Sequence, residues 1–294
     1  MEQVGIATIR ALLTAKPRPV GWAERRRRLD EIGATWPVAS DVALTAVDID
    51  GIPGEWSTVP GSGSSRVLMF LHGGGYCSGS IVSHRRMVSE AGRAAGVRTL
   101  AVGYRLAPEH PFPAAFDDAL TAWHFLRHQG IAPEHVVVAG DSAGGGLSLA
   151  LSMALRERNE PLPACLWLVS PWTDLTMSGS TLLTKDAVDP LIHRGYLGEL
   201  ADAYVHGATD RKDPRVSPLF GDLSQLPPML IQVGSDETLL DDAVRLAARA
   251  GAAAAAVTLE IWPHMIHAWH VWNARLEAGR LALGSAGRFM REHL

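Results

Sequence analysis

The sequence predicts an α/β fold in which a mostly parallel central sheet is flanked by helices. Short apolar runs rich in β-branched residues alternate with helical patterns along most of the chain, and this order is typical of parallel sheets built from strand-helix-strand units. A glycine-rich turn also joins one apolar run directly to a helical pattern. The 294 residues, 47% of them hydrophobic and 20% charged, fit a single domain spanning 1–294 without a disordered segment.

The predicted strands begin with an antiparallel pair. The runs 42–48 and 54–60 are separated by Gly51-Ile52-Pro53-Gly54, a sequence typical of a hairpin turn, so we expect two outer strands. Residues before about 40 have helical spacing, and about 175–220 offers no strand candidate, which indicates an insertion that covers part of the fold. The later strands are short apolar runs between helical patterns: 66–71, 98–103, 135–139, 165–170, 229–233 and 257–262.

The turn Gly140-Asp141-Ser142-Ala143-Gly144-Gly145 lies between a predicted strand and a predicted helix. The pattern Gly-x-Ser-x-Gly at such a corner is typical of a nucleophilic serine, because the sharp turn lifts the hydroxyl above the sheet. Gly140 and Gly144 remove side chains that would collide there. A glycine-rich turn of this kind also binds phosphate. Ser142 is therefore a candidate nucleophile that the pattern alone leaves beside a phosphate-binding alternative.

A second glycine-rich segment, His72-Gly73-Gly74-Gly75-Tyr76, directly follows an apolar run. Backbone N–H groups that point at a reacting carbonyl oxygen stabilise the negative charge that grows on it. We predict that the N–H groups of Gly74, Gly75 and Ala143 form this oxyanion hole. A phosphate-binding loop is the alternative, and it is disfavoured because no Lys-Ser or Lys-Thr pair follows the glycines.

A nucleophilic serine needs a basic histidine, and three candidates follow the last predicted strand: His264, His267 and His270. We favour His267, because the small residue Ala268 follows it and leaves space near the nucleophile. A metal site is the alternative, but no carboxylate lies in 263–273 and the spacing is not that of a metalloprotease helix. We therefore expect neither a metal nor a cofactor.

The acid that orients the histidine is expected just after the strand 229–233. Asp236 and Glu237 both lie there, and either carboxylate can hold an imidazole in the required tautomer. The residues alone leave this choice open.

Together these motifs resemble those of the hormone-sensitive lipase family of α/β-hydrolases, in its bacterial esterase branch, and the resemblance covers nearly all of the chain. The family's acid motif, laid without gaps from Gly234, places the acid at Glu237, with Asp236 as runner-up because most relatives have Asp there. The residue after the family's histidine is normally Gly, where this chain has Ala268. The matching motifs are 72–76, 104–115, 140–145 and 170–174.

The resemblance implies an α/β-hydrolase fold with a helical cap formed by about 1–40 and about 175–220. It implies a serine carboxylesterase that hydrolyses short to medium acyl esters through an acyl-enzyme, with Tyr76 in the substrate pocket and a possible homodimer. A lactone hydrolase, amidase or deacetylase would use the same triad. A non-catalytic ligand receptor on this fold is disfavoured, because such receptors lose the histidine that His267 matches.

Charge and composition exclude other classes of protein. A net charge of −4 argues against nucleic-acid binding, and the basic run Arg25–Arg28 is interpreted as a solvated helix face rather than a binding patch. Cys77 and Cys165 are too few for a disulfide framework. The N-terminus lacks the pattern of a signal peptide, and no apolar run is long enough to cross a bilayer. We expect a cytoplasmic protein.

Overall fold

The computed structural model describes residues 5–15, 19–207 and 209–294. Its eight strands form one sheet in the order β1-β2-β4-β3-β5-β6-β7-β8. Strands β3 to β8 pair in parallel, whereas β2 pairs antiparallel with β1 and β4. The predicted α/β-hydrolase sheet is confirmed. The strands are β1 Ala43–Ile49, β2 Ile52–Thr58, β3 Gly63–Leu71, β4 Val97–Val102, β5 Val136–Asp141, β6 Cys165–Val169, β7 Met229–Gly234 and β8 Val257–Trp262.

The hairpin between β1 and β2 is tighter than the sequence predicts. Asp50 and Gly51 both have positive φ, 49° and 93°, which a two-residue hairpin turn requires. Asp48 Oδ1 accepts a hydrogen bond from the Gly51 N–H at 2.7 Å. Ile52 is therefore already paired with Ile49, and the predicted turn over 51–54 was too long.

Helices cover both faces of the sheet. Along β3, Met69 and Leu71 belong to one buried cluster and Leu68 and Phe70 to the other, because successive side chains of a strand point to opposite faces. Helices α4, α5 and α8 pack on the face that carries Met69 and Leu71. Helices α3 and α9 pack on the opposite face, which carries Leu68 and Phe70. The helices are α1 Ile6–Thr14, α2 Trp22–Ala34, α3 Ile81–Ala95, α4 Ala114–His128, α5 Ala143–Glu157, α6 Thr181–Thr184, α7 Arg194–Tyr204, α8 Leu240–Ala252 and α9 Glu277–His293.

Two arginines of α2 tie the N-terminal segment to the rest of the fold. Arg25 forms an ion pair with Glu199 of α7 at 2.6 Å, and its guanidinium lies 4.8 Å from the centre of the Tyr196 ring. Arg26 donates to the carbonyls of Cys77 and Ala107, both at 2.9 Å. The side chains of Arg25 and Arg26 are only 13% and 28% exposed. The predicted solvated face is wrong for these two residues, because backbone carbonyls and two carboxylates of distant segments are their partners.

The predicted cap ranges hold α1, α2, α6 and α7, and their parts at 1–4, 16–18 and 208 lie outside the described residues. Their assignment as a cap stays a prediction. Within the described ranges, no helix is both long and apolar enough to cross a membrane. Cys77 and Cys165 are buried free thiols.

Candidate active site

Ser142 lies at a sharp corner between β5 and α5. Its φ of 53° and ψ of −121° are strained for a residue with a side chain, and its N–H donates to the Val169 carbonyl at 2.8 Å. A Cβ at Gly140 would lie 2.4 Å from the backbone of Gly144, and one at Gly144 would lie 1.9 Å from the Leu71 carbonyl oxygen. Only glycine fits on either side of this serine.

The loop after β3 is fixed against the same corner by the residue before the serine. Asp141 Oδ1 accepts the Gly73 N–H at 2.8 Å, and His84 Nε2 of α3 lies 3.2 Å from Asp141 Oδ2. Burial raises the pKa of Asp141, but the charge and the hydrogen bond of His84 outweigh it and lower the pKa below its ordinary value. The buried pair of Asp141 and His84 therefore fixes the position of the segment 72–76, which is called the glycine loop below.

The predicted oxyanion donors are free to bind a ligand. Gly74 and Gly75 have φ of 115° and 64°, a region that favours glycine. Among the described residues, the N–H groups of Gly74, Gly75 and Ala143 donate to no acceptor. Ala143 is the first residue of α5, where a helix leaves its N–H groups unpaired and carries a partial positive charge. This arrangement suits a developing negative charge.

His267 and Glu237 form a buried pair at the carboxyl end of the sheet. His267 Nδ1 lies 3.0 Å from Glu237 Oε2, and Glu237 Oε1 accepts the Gly234 N–H at 3.1 Å. The two residues are 5% and 0% exposed. A carboxylate at Nδ1 favours the tautomer that carries its proton there, which leaves Nε2 as an acceptor.

Asp236 points away from this pair although it is adjacent in sequence. Its Oδ2 lies 2.8 Å from Nη2 of Arg10 in α1, and its Oδ1 lies 3.8 Å from Nζ of Lys185. Of the two candidate acids, the structure places only Glu237 against the histidine.

The pKa values of the pair reflect burial and neighbouring charges. Burial lowers the pKa of His267, but the hydrogen bond and charge of Glu237, with the charges of Asp189 and Asp141, raise it above its ordinary value near 6.5. Burial raises the pKa of Glu237, and His267 only partly offsets this. Raised pKa values of this kind are common at catalytic histidines and acids.

Ser170, directly after β6, contacts the residue that follows His267 and was not predicted as a site residue. Its Oγ accepts the Ala268 N–H at 3.2 Å, and its hydrogen bond lowers the pKa of Glu237. The described hydrogen bonds include none between Ser142 Oγ and His267, a contact that often tightens only when substrate binds. A serine directly after an apolar strand, inside the motif 170–174, was the available signal.

The other two histidines have separate roles. His270 is fully buried, its Nε2 lies 2.9 Å from Gln232 Oε1, and burial lowers its pKa to about 3. His264 is exposed, and its backbone N–H donates to Ser235 Oγ at 2.8 Å. In the described part of the chain, no three metal-binding side chains come together.

Tyr76 is packed rather than open to a pocket. It is 1% exposed, and its ring stacks on Tyr204 of α7 with centroids 3.8 Å apart. Trp172 lies 6.2 Å away. Tyr76 thus connects α7 to the glycine loop, and its contact with substrate stays a prediction.

Known proteins share this fold and these elements. A family model described as alpha/beta hydrolase fold matches residues 68–271, a range that contains all the candidate site residues. The sheet and the corner at Ser142 likewise define the class as α/β-hydrolase.

Individual relatives narrow this class. The acetyl-hydrolase of Streptomyces hygroscopicus is 46% identical over 81% of this chain and 79% of that protein. A crystal structure of an esterase from the bacterial hormone-sensitive lipase family has a TM-score of 0.94 and 40% identity, covering 98% of this chain and 96% of that one. EstE5, soaked with p-nitrophenyl butyrate, has a TM-score of 0.94 and 40% identity, covering 99% of both chains. The chain belongs to the hormone-sensitive lipase family, in its bacterial esterase branch.

Proposed function

We propose that this protein is a serine carboxylesterase that hydrolyses short to medium acyl esters. The observation that carries the proposal is the His267–Glu237 contact of 3.0 Å at the carboxyl end of the sheet that also carries the Ser142 corner. The N–H groups of Gly74, Gly75 and Ala143, which have no acceptor among the described residues, complete the set of groups that acyl transfer needs.

In the proposed reaction, Ser142 Oγ attacks the ester carbonyl carbon while His267 Nε2 accepts the hydroxyl proton. The carbonyl oxygen becomes an oxyanion, which accepts hydrogen bonds from the three N–H groups. The tetrahedral intermediate expels the alcohol, which takes the proton from His267 and leaves an acyl-enzyme on Ser142. A water molecule then attacks the acyl-enzyme while His267 accepts its proton. The bond between the acyl carbon and Ser142 Oγ breaks, Ser142 takes the proton from His267, and the carboxylic acid leaves.

Glu237 is proposed as the residue that orients His267 and stabilises its protonated form. Its carboxylate is held by the Gly234 N–H, so the imidazole ring has one preferred position. The names of similar proteins, acetyl-hydrolase and esterase, and the ester soaked into EstE5 support a small ester as substrate.

The segments around the site support a short acyl group. We propose that the described parts of 1–40 and 175–220 form the cap, with α7 above the glycine loop. We propose that the stacked rings of Tyr76 and Tyr204 limit the length of acyl chain that the site accepts. A homodimer and a cytoplasmic location stay predictions.

The direct test is hydrolysis of p-nitrophenyl esters from acetate to palmitate by the purified protein. We expect the highest kcat/KM at short or medium chains, because the stacked rings of Tyr76 and Tyr204 are proposed to limit acyl length. Initial rates over a range of concentrations of each ester would give kcat/KM. A maximum at palmitate would contradict the proposed pocket, and an absence of turnover on every ester would contradict the proposed function.

We also predict an acid limb in the pH profile of kcat/KM at a pH above the ordinary histidine pKa near 6.5. His267 must be neutral to accept a proton, and its raised pKa means that activity is complete above that pKa and is lost as pH falls through it. Rates with p-nitrophenyl acetate would measure the limb, with circular dichroism at each pH to exclude unfolding. A limb below 6.5 would contradict the assigned pair.

A further inference from the structure

Asp189 is a buried carboxylate in the insertion between α6 and α7. It is 2% exposed, and its Oδ1 accepts the N–H groups of Leu191 and Ile192, each at 2.9 Å. Its Oδ2 accepts the Thr238 N–H at 2.9 Å. The ion pairs of the described residues include none to Asp189, and a buried charge without a partner cation is costly. Such a group calls for a reason beyond stability.

The residue that Asp189 contacts directly follows Glu237. Thr238 is fully buried; its N–H donates to Asp189, and its carbonyl accepts the Thr181 hydroxyl at 2.7 Å. The Thr181 oxygen in turn accepts the Asp241 N–H at 2.9 Å. The insertion therefore holds Thr238 at both its N–H and its carbonyl.

Arg10 joins the same two segments one residue away from each carboxylate. Its Nη1 donates to the Val188 carbonyl and its Nη2 to Asp236 Oδ2, both at 2.8 Å. Val188 precedes Asp189, and Asp236 precedes Glu237. Two sets of contacts thus join the insertion to the turn after β7: those of Arg10, and the hydrogen bonds of Asp189 and Thr181.

We propose that Asp189 is a positioning residue for the Glu237–His267 pair, supplied by the insertion and acting through the Thr238 N–H. This inference rests on the proposed function, in which that pair is the acid and base. It means that the insertion is part of the framework of the site at this end and does not open as a free lid there. Asp189 reaches the pair indirectly. Its Oδ2 accepts from the peptide N–H next to Glu237, and in the described hydrogen bonds its side chain contacts neither Glu237 nor His267.

The charge of Asp189 acts on the same pair. Among the described groups it is one of the causes that raise the pKa of His267, after burial, which lowers it, and Glu237. It also contributes to the raised pKa of Glu237, which burial causes first. Among the described residues, other charged or titratable groups near the pair lie on three elements. Asp141 of β5 is contacted by His84 of α3. Asp236, in the turn after β7, is contacted by Arg10 of α1 and by Lys185 after α6.

The first test follows the His267 imidazole by NMR titration in the wild type, in Asp189→Asn and in Asp186→Asn. Asp186 lies in the same insertion, is 45% exposed at its side chain and accepts the Arg194 N–H, so it is a matched loss of charge. We expect a lower His267 pKa in Asp189→Asn and no change in Asp186→Asn. An unchanged His267 pKa in Asp189→Asn, together with an unchanged kcat in the second test, would overturn the inference.

The second test is kinetic and separates positioning from folding. With p-nitrophenyl acetate we expect Asp189→Asn to lower kcat about 10- to 100-fold with little change in KM, since small displacements of catalytic groups have costs of this size. Its acid limb should move to lower pH. A lower Tm with an unmoved limb and unchanged kcat would show a merely structural residue.

A neutral variant covers the case in which Asp189→Asn does not fold. Thr181→Val removes the hydrogen bond to the Thr238 carbonyl without changing charge, and we expect lower kcat with an unmoved acid limb. An unchanged kcat in Thr181→Val would contradict control of the turn by the insertion. Inactive wild-type protein would refute the esterase alone, because the His267 titration needs no turnover.

Discussion

Replacing Ser142 by alanine is expected to lower kcat on p-nitrophenyl acetate by about 10⁵- to 10⁶-fold, because the nucleophile is lost and only oxyanion binding and proximity remain. Alanine keeps the Cβ and leaves the backbone hydrogen bond to Val169 in place. We therefore expect the same Tm and circular dichroism spectrum as the wild type. Burst kinetics with p-nitrophenyl acetate would also show that acylation no longer occurs.

Ser152→Ala is the matched control for this variant. Ser152 lies in α5, is fully buried, and donates from Oγ to the Ser148 carbonyl at 3.0 Å, so its substitution removes a serine hydroxyl from the helix that follows Ser142. It should leave kcat near the wild-type value. If Ser142→Ala kept wild-type turnover, Ser142 would not be the nucleophile and the proposed mechanism would be wrong.

Replacing Glu237 by glutamine is expected to lower kcat by about 10³- to 10⁴-fold, the size of the loss when a triad acid becomes an amide. The amide no longer stabilises protonated His267 and can hold the imidazole in the wrong tautomer. The acid limb of kcat/KM should also move to lower pH, since the hydrogen bond and charge that raise the pKa of His267 are lost. Steady-state rates across pH would measure both effects.

Asp236→Asn is the control for the acid assignment, because it removes the neighbouring carboxylate. Asp236 pairs with Arg10 and not with His267. A partly exposed ion pair contributes about 1 kcal/mol or less, so we expect less than about a tenfold change in kcat. The opposite order, with Asp236→Asn the more damaging variant, would move the acid to Asp236.

The sheet and the serine corner were predictable because their signals are local. An apolar β-branched run predicts a strand wherever it lies in a parallel sheet, and six of the eight strands share most of their residues with simple runs of this kind. The corner at Ser142 needs glycine at 140 and 144 because backbone atoms approach there. These requirements act over a few residues and are visible in sequence.

The hairpin boundary was less predictable. The segment 51–54 has the composition of a turn, but Asp50 and Gly51 take the left-handed conformations and leave Ile52 to pair with Ile49. Cross-strand pairing, rather than composition, decided where β2 begins.

The sequence by itself determined the class of fold, the candidate nucleophile and the glycine loops, since each rests on the local geometry of the chain. Only the tertiary structure decided which carboxylate lies against His267, because Asp236 turns toward Arg10, a partner 226 residues away. It likewise turned Arg25 and Arg26 from solvent to α7 and the glycine loop and brought Asp189 to Thr238. The direction of a polar side chain depends on the partner that satisfies its charge, and folding alone brings that partner near.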